Sequence, residues 1–283
     1  MNEQLLDQRL ELVKAEIGDL PYRELKVITT GCEKDVVILD QQTVISFFRD
    51  GLRTETYDAR QELIRRLAMQ SEAILPVCRY RSQANHFAVE TYVPGERITP
   101  RLVEENPEEG RRIGSAVGSL LRQLHRMPAQ GLGLRSGFAQ DVSRDMESGL
   151  KLLVTRLSAS EIRQVTVFLN EYYESAATVE TCVVHGDFHF DNIVWDSDAG
   201  RLGVLDFGEA GVEDPALDFM YMRYYREEFR HAVLEAYGSE DSRLYDRSQM
   251  YDRIYGLYDM IENIRNDPRK PDFHKGYARF FES

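Results

Sequence analysis

Two short apolar runs, each emptying into a polar loop, constrain this chain more than anything else in it. The first is Val183-Val184, followed by His185-Gly186-Asp187-Phe188-His189-Phe190-Asp191-Asn192 and then by the apolar Ile193-Val194-Trp195. The second is Leu205-Asp206-Phe207-Gly208. Each reads as a strand that ends in a loop. The first loop offers a carboxylate, Asp187, and an amide five residues later, Asn192. The second offers Asp206, followed closely by a glycine that lets the chain turn sharply. Asp, Asn and Asp form a hard-oxygen set. Such a set suits Mg²⁺, which fills the rest of its shell with water and phosphate.

The spacing matches the HRD loop, following Asn and DFG of protein kinases, with Gly186 where the kinases have Arg. HGDxxxxN with a downstream DFG resembles the kinase-like small-molecule phosphotransferases: aminoglycoside and macrolide phosphotransferases, choline kinase and the homoserine kinase of that type. The continuation Glu209-Ala210-Gly211-Val212-Glu213-Asp214-Pro215-Ala216-Leu217-Asp218 is similar to the aminoglycoside group. Two linked motifs in order are a far more specific signal than HGD alone.

The resemblance implies an α+β, protein-kinase-like fold in two lobes. Residues 1–93 would be a small antiparallel-sheet lobe that binds nucleotide. Residues 94–283 would be a larger, mostly helical lobe for catalysis and acceptor binding. It implies Asp187 as the catalytic residue that orients the acceptor hydroxyl, and Asn192 and Asp206 as Mg²⁺ ligands. ATP or GTP would be the phosphate donor. Asp218 matches a buried aspartate that holds the catalytic loop, and the main chain of Thr91, Tyr92 and Val93 falls where the base is bound. The acceptor implied is a hydroxyl on an aminoglycoside or similar amino-sugar. Choline, homoserine, a macrolide and a metabolite sugar are the alternatives.

One position departs from the pattern. The family strand carries a Lys or Arg for the nucleotide phosphates, and Ser46 stands there, in Ser46-Phe47-Phe48-Arg49. Arg49 is three residues on, which in a regular strand is the opposite face. A bend redirects Arg49, or Lys34, Arg79 or Arg81 serves, or Mg²⁺ carries most of the charge, or the chain is a non-catalytic binding module. Glu62 falls where the family places the partner of the missing cation, and is otherwise a solvated helix carboxylate. Gly31-Cys32-Glu33-Lys34-Asp35 sits where a phosphate-covering loop belongs, but has one glycine and reads equally as a hairpin turn.

The net charge of −13 argues against nucleic acid or an anionic membrane as partner. It would suit a cationic small molecule. Cys32, Cys78 and Cys182 lie far apart, without metal or disulfide spacing, so a reducing, cytoplasmic setting is expected.

Elsewhere the periodicity predicts a helix over Leu5–Ile17, hairpins over 36–48 and 77–93, and a helix over Thr56–Gln70 with Leu63, Ile64 and Leu67 inward. Asn106-Pro107 reads as a helix start. Helices are expected over Asp141–Leu157, after the capping box Ser158–Glu161, over Phe219–Tyr237, and around Met250–Ile264. His125 and His189 read first as capping or packing residues, with a catalytic role for His125 and a substrate or phosphate contact for His189 as the alternatives. Asp252, Asp259 and Glu262 fall opposite an apolar helix stripe. With Asp267 they are candidates for gripping ammonium groups, or they form a solvated face.

Overall fold

A computed structural model describes residues 3–29, 33–49, 54–266 and 272–282. Gly31 and Cys32 of the expected phosphate loop, and Asp267, lie outside the described residues. The chain begins with α1 (Glu3–Ile17), β1 (Leu25–Ile28), β2 (Lys34–Leu39) and β3 (Thr43–Phe48). Then come α2 (Thr54–Ala68), β4 (Cys78–Ser82), β5 (Phe87–Thr91) and β6 (Glu96–Arg97). Next are α3 (Pro100–Glu105), α4 (Pro107–His125), β7 (Arg135–Ser136), α5 (Phe138–Leu153) and α6 (Ala159–Ala176). The strands β8 (Cys182–Val184), β9 (Ile193–Asp196), β10 (Arg201–Val204) and β11 (Gly211–Glu213) follow, and α7 (Glu227–Tyr237), α8 (Leu244–Ile264) and α9 (Phe273–Phe281) end the chain. Among the described residues no helix is long and apolar enough to cross a membrane.

The chain divides into two compact units. The first reaches Ile98 and also takes in Gly131–Gly133 and Asp191–Asp206; the second holds the rest. In the first unit the strands lie in the order β1-β2-β3-β5-β4, each antiparallel to its neighbour. Strand alternation sorts the side chains. Val37, Leu39, Ile45, Phe47, Phe87 and Val89 form one buried face with Val13 of α1, and Leu6, Leu10 and Ile17 of α1 pack on it. Each such side chain taken out of water contributes roughly 1.5–3 kcal/mol. The other face of β3 turns to α2, where the Phe48 and Tyr57 rings lie 4.7 Å apart. A smaller sheet, β10-β9-β6, completes this unit.

The second unit is mostly helical around one short sheet. β11 runs parallel to β7 and antiparallel to β8. α4 buries Ile113, Val117, Leu120, Leu121 and Leu124, the stripe its sequence predicts. It meets α7 at Gly118, where an added Cβ would come within 2.9 Å of Ala236 Cβ and the Tyr237 amide nitrogen. The Ser158–Glu161 capping box forms as expected. The antiparallel sheet and the helical remainder make the chain α+β, as the sequence implies.

Two local expectations need correction, and one helix was unforeseen. The predicted helix Phe219–Tyr237 is instead a 3₁₀ segment, Pro215–Tyr224, and a separate α7. Asp214 opens the 3₁₀ segment by accepting the Ala216 N–H at 2.9 Å. Tyr225 and Arg226 are extended, and Tyr225 stacks on Phe229 at 4.5 Å, which fixes the break. Asn106 precedes α4 but its side chain makes no cap bond, because Nδ2 donates back to the Leu102 carbonyl of α3 at 3.4 Å. The C-terminal helix α9 was not anticipated.

Replacing Gly118 by Ala forces α4 and α7 apart. Overpacking of this kind costs about 1–3 kcal/mol. A urea unfolding midpoint should fall accordingly, and an unchanged midpoint would show that the close approach is not needed.

Candidate active site

In the second unit, β8 delivers His185-Gly186-Asp187 into a loop built around one buried carboxylate. Asp218 is 0% exposed. It accepts the backbone N–H groups of His185 and Gly186, each at 2.8 Å. His125 Nε2 lies 3.0 Å from the same carboxylate, and His125 Nδ1 lies 2.9 Å from the Tyr237 hydroxyl. His125 is therefore a packing residue with both ring nitrogens engaged. A buried charge needs this degree of satisfaction.

Gly186 has φ 82°, and an added Cβ would collide with the Glu209 carbonyl. Only glycine fits, which explains why no arginine stands there. The His185 ring is fully buried between Phe207 at 4.6 Å and Phe188 at 5.5 Å. Its Nδ1 accepts the Asp187 N–H at 3.3 Å.

Asp187 is thus pinned by its backbone while its carboxylate stays partly exposed. His189 Nε2 lies 3.3 Å from Asp187 Oδ2, so His189 does more than pack. The His189 ring in turn packs on Tyr221 at 5.2 Å. Burial pushes the Tyr221 hydroxyl up to about 12, against the opposing effect of nearby Arg279.

Asn192 and Asp206 belong to the first unit, at the two ends of the β9–β10 hairpin. The Leu205 N–H donates to the Asn192 carbonyl at 2.8 Å, which sets the two ligand candidates at adjacent places. Asn192 is buried and Asp206 exposed. Asp206 has φ 53°, a conformation that non-glycine residues adopt rarely and that recurs at functional sites. Asp191 forms an ion pair with Arg97 at 2.8 Å. Among the described residues no three His, Cys, Asp or Glu side chains form a closed metal cage. A side-chain amide and an exposed carboxylate are nonetheless donor types that fit Mg²⁺, which is held by one or two protein oxygens with phosphate and water completing the shell.

The strand position of the family cation is occupied by a serine that belongs to a network of uncharged donors around Glu90. Ser46, fully buried, donates to Glu90 Oε2 at 2.7 Å. Glu90, 3% exposed, also accepts from Tyr57 at 2.9 Å and Gln61 at 3.3 Å. Arg49 does not reach this face. Its guanidinium donates to Asp35 at 2.6 Å and to the Thr29 carbonyl at 2.8 Å. Burial works to raise the Asp35 carboxyl, but Arg49 and Arg9 hold it below the usual range. Arg81 pairs with Asp58. Glu62, for which no partner was expected, pairs with Arg66 at 2.7 Å and Arg65 at 2.8 Å along its own helix. These two hold its carboxyl below the usual range.

At the segment expected to bind the base, the Thr91 N–H donates to the Val77 carbonyl at 3.0 Å and the Tyr92 N–H approaches the Gln42 carbonyl at 3.4 Å. Both amides are already used inside the sheet. Val93 is buried.

The C-terminal acids are neither bare nor a uniformly solvated face. Asp252 is 0% exposed and accepts from Arg223 at 2.6 Å, Arg279 at 2.8 Å and Tyr224 at 3.2 Å. Asp259 also reaches Arg279, at 3.3 Å, and Glu262 pairs with Arg265 at 2.6 Å. Arg279 comes from the unanticipated α9, and sequence reasoning missed it because nothing local marks a helix whose partner lies on α8. Glu90 was missed as well, although a lone acid directly after the apolar run Phe87-Ala88-Val89 and before Tyr92-Val93 is a visible signal.

The family model APH, described as a phosphotransferase enzyme family, matches residues 24–253. An aminoglycoside 3'-phosphotransferase from Escherichia coli is 27% identical over 184 residues, covering 59% of this chain and 64% of that protein. The match thus spans less than two thirds of that relative's length. The GDP and kanamycin complex of APH(2")-IIia superposes with a TM-score of 0.83 at 17% identity, covering 98% of each chain. The macrolide 2'-phosphotransferase MphH from Brachybacterium faecium gives 0.71 at 16% identity, covering 99% of each. At such identities the structural likeness concerns the fold. The family match runs through the catalytic loop and everything that anchors it, and the chain belongs to the APH phosphotransferase family.

Proposed function

We propose that this protein transfers the γ-phosphoryl group of a Mg-nucleotide, ATP or GTP, to a hydroxyl of a small molecule. The observation that carries the reading is the anchored loop: Asp218 grips the amides of His185 and Gly186, so the Asp187 carboxylate is presented from a rigid base. Asp187 accepts the hydrogen bond of the acceptor hydroxyl, orients it in line, and takes its proton late. The transition state is loose, so positioning matters more than base strength. Asn192 and Asp206 are the residues that would hold Mg²⁺, which when bound neutralises phosphate charge. Residues 1–93 supply the nucleotide lobe. Base recognition falls to the main chain of 91–93, with Val93 favoured because the Thr91 and Tyr92 amides are already bonded.

The relatives' names make an amino-sugar hydroxyl the first acceptor to test. A second reading, a small metabolite without multiple ammonium groups, is favoured by Asp252, which two guanidinium groups already neutralise. A panel of amino-sugars, macrolides, choline, homoserine and neutral sugars, scored by acceptor-dependent nucleotide consumption, separates the two. No turnover with any of them would support the binding-module alternative.

Asp187→Ala should reduce transfer by about 10²–10⁴-fold, as loss of a positioned base does, with Mg-nucleotide affinity near wild type. Turnover equal to wild type would remove Asp187 from the mechanism. Asp206→Ala should weaken nucleotide binding only when Mg²⁺ is present. Calorimetric titration with Mg²⁺ and with excess EDTA checks this, and an unchanged Mg²⁺-dependent affinity would contradict it.

A further inference from the structure

Given the phosphotransfer reading above, on which this rests, we propose that Arg60 of α2 supplies the phosphate-neutralising cation that β3 lacks. Ser46 has no charge, and its hydroxyl is committed to Glu90. The face of the sheet that should offer a cation therefore carries a buried carboxylate with neutral donors around it. The compensation comes from the helix opposite. Tyr57, Arg60, Gln61 and Ile64 follow the i, i+3, i+4, i+7 spacing that places them along one side of α2. Tyr57 and Gln61 reach Glu90 across the interface, and Ile64 is buried, so this side faces the sheet.

Arg60 is the charged member of that stripe, with a side chain only 13% exposed. Its guanidinium grips Glu33 with two nitrogens, at 2.8 and 3.3 Å. Glu33 lies just before β2, in the segment where a phosphate-covering loop belongs. A guanidinium fork that fits a carboxylate with two bonds also fits a phosphate. Glu33 is 43% exposed and can swing into water when a triphosphate takes its place. Among the described candidates for this role, Arg49 is committed to Asp35 on the far face, Arg81 to Asp58 and Arg66 to Glu62, and Arg79 is exposed. Lys34 is the rival, because its cross-strand partner is Phe48 and it shares the Ser46 face.

The test is calorimetry on the full chain with Mg-ATP or Mg-GTP, whichever the wild type binds, and with the matching nucleoside, which has no phosphates. Arg60→Met should weaken triphosphate binding by roughly tenfold or more, as loss of a charge-assisted pair does, and leave nucleoside binding unchanged. Arg60→Lys should fall between, and adding Ser46→Lys to Arg60→Met should recover affinity. Glu33→Gln, at an exposed position, should bind the triphosphate at least as well as wild type. Equal losses for triphosphate and nucleoside would make Arg60 merely structural and overturn the proposal. So would an unchanged triphosphate affinity, a loss in Lys34→Met in its place, or weakened triphosphate binding in Glu33→Gln. Absence of Mg-nucleotide binding by the wild type would instead remove the phosphotransfer reading itself.

Discussion

The catalytic loop depends on a single carboxylate taken wholly out of water. Asp218 gives up its hydration for two backbone N–H groups and the His125 ring. Buried without them it would be strongly destabilising, since an uncompensated interior charge costs several kcal/mol. With them it acts as a fixed post. The amides it holds belong to the two residues before Asp187, so the orientation of the loop is inherited from a side chain more than thirty positions later in the chain. His125, Tyr237 and Phe219 close the other side of this post with ring contacts of 4.9 to 6.2 Å. The 3₁₀ segment Pro215–Tyr224 carries Asp218 there, and Asp214, locked to Arg247 by two bonds of 2.8 and 2.9 Å, starts that segment.

The first unit solves a different electrostatic problem. Glu90 is a buried acid surrounded by Ser46, Tyr57 and Gln61, donors that carry no formal charge. Neutral donors satisfy its lone pairs without supplying a counter-charge. The arginine nearest in helical phase, Arg60, is turned to Glu33. The charge balance of this region is therefore distributed between a strand, a helix and a turn. In the second unit the pattern differs again: Asp252 receives two arginines from separate segments, Arg223 and Arg279, and the resulting cluster ties the 3₁₀ segment, α8 and α9 together.

Much of the fold was legible because it follows from periodicity. α1, α4, the two hairpins of the first sheet and the Ser158 capping box all form where local pattern predicts them. The short strands β6, β7 and β11 were not legible, since two or three residues carry no period. The break at Tyr225 was hidden inside an aromatic run that continues on both sides of it. For the site, the HGDxxxxN and DFG spacings are enough to name Asp187, Asn192 and Asp206 as candidates, since they depend only on local order. The positions of Arg49 and Glu62 were harder, because a motif offset gives a place in the chain but not the face on which a side chain emerges.

The sequence alone determined the α+β class, the family-bearing motifs and the absence of charge at Ser46, because these are properties of residue identity and local spacing. Only the tertiary structure decided which acids are spent and which cations are committed. Glu62 closes on its own helix, Asp252 disappears beneath two arginines, and Arg60 turns to Glu33. An ion pair is chosen by distance in space and by the loss of water around it, and neither is written in the order of the residues.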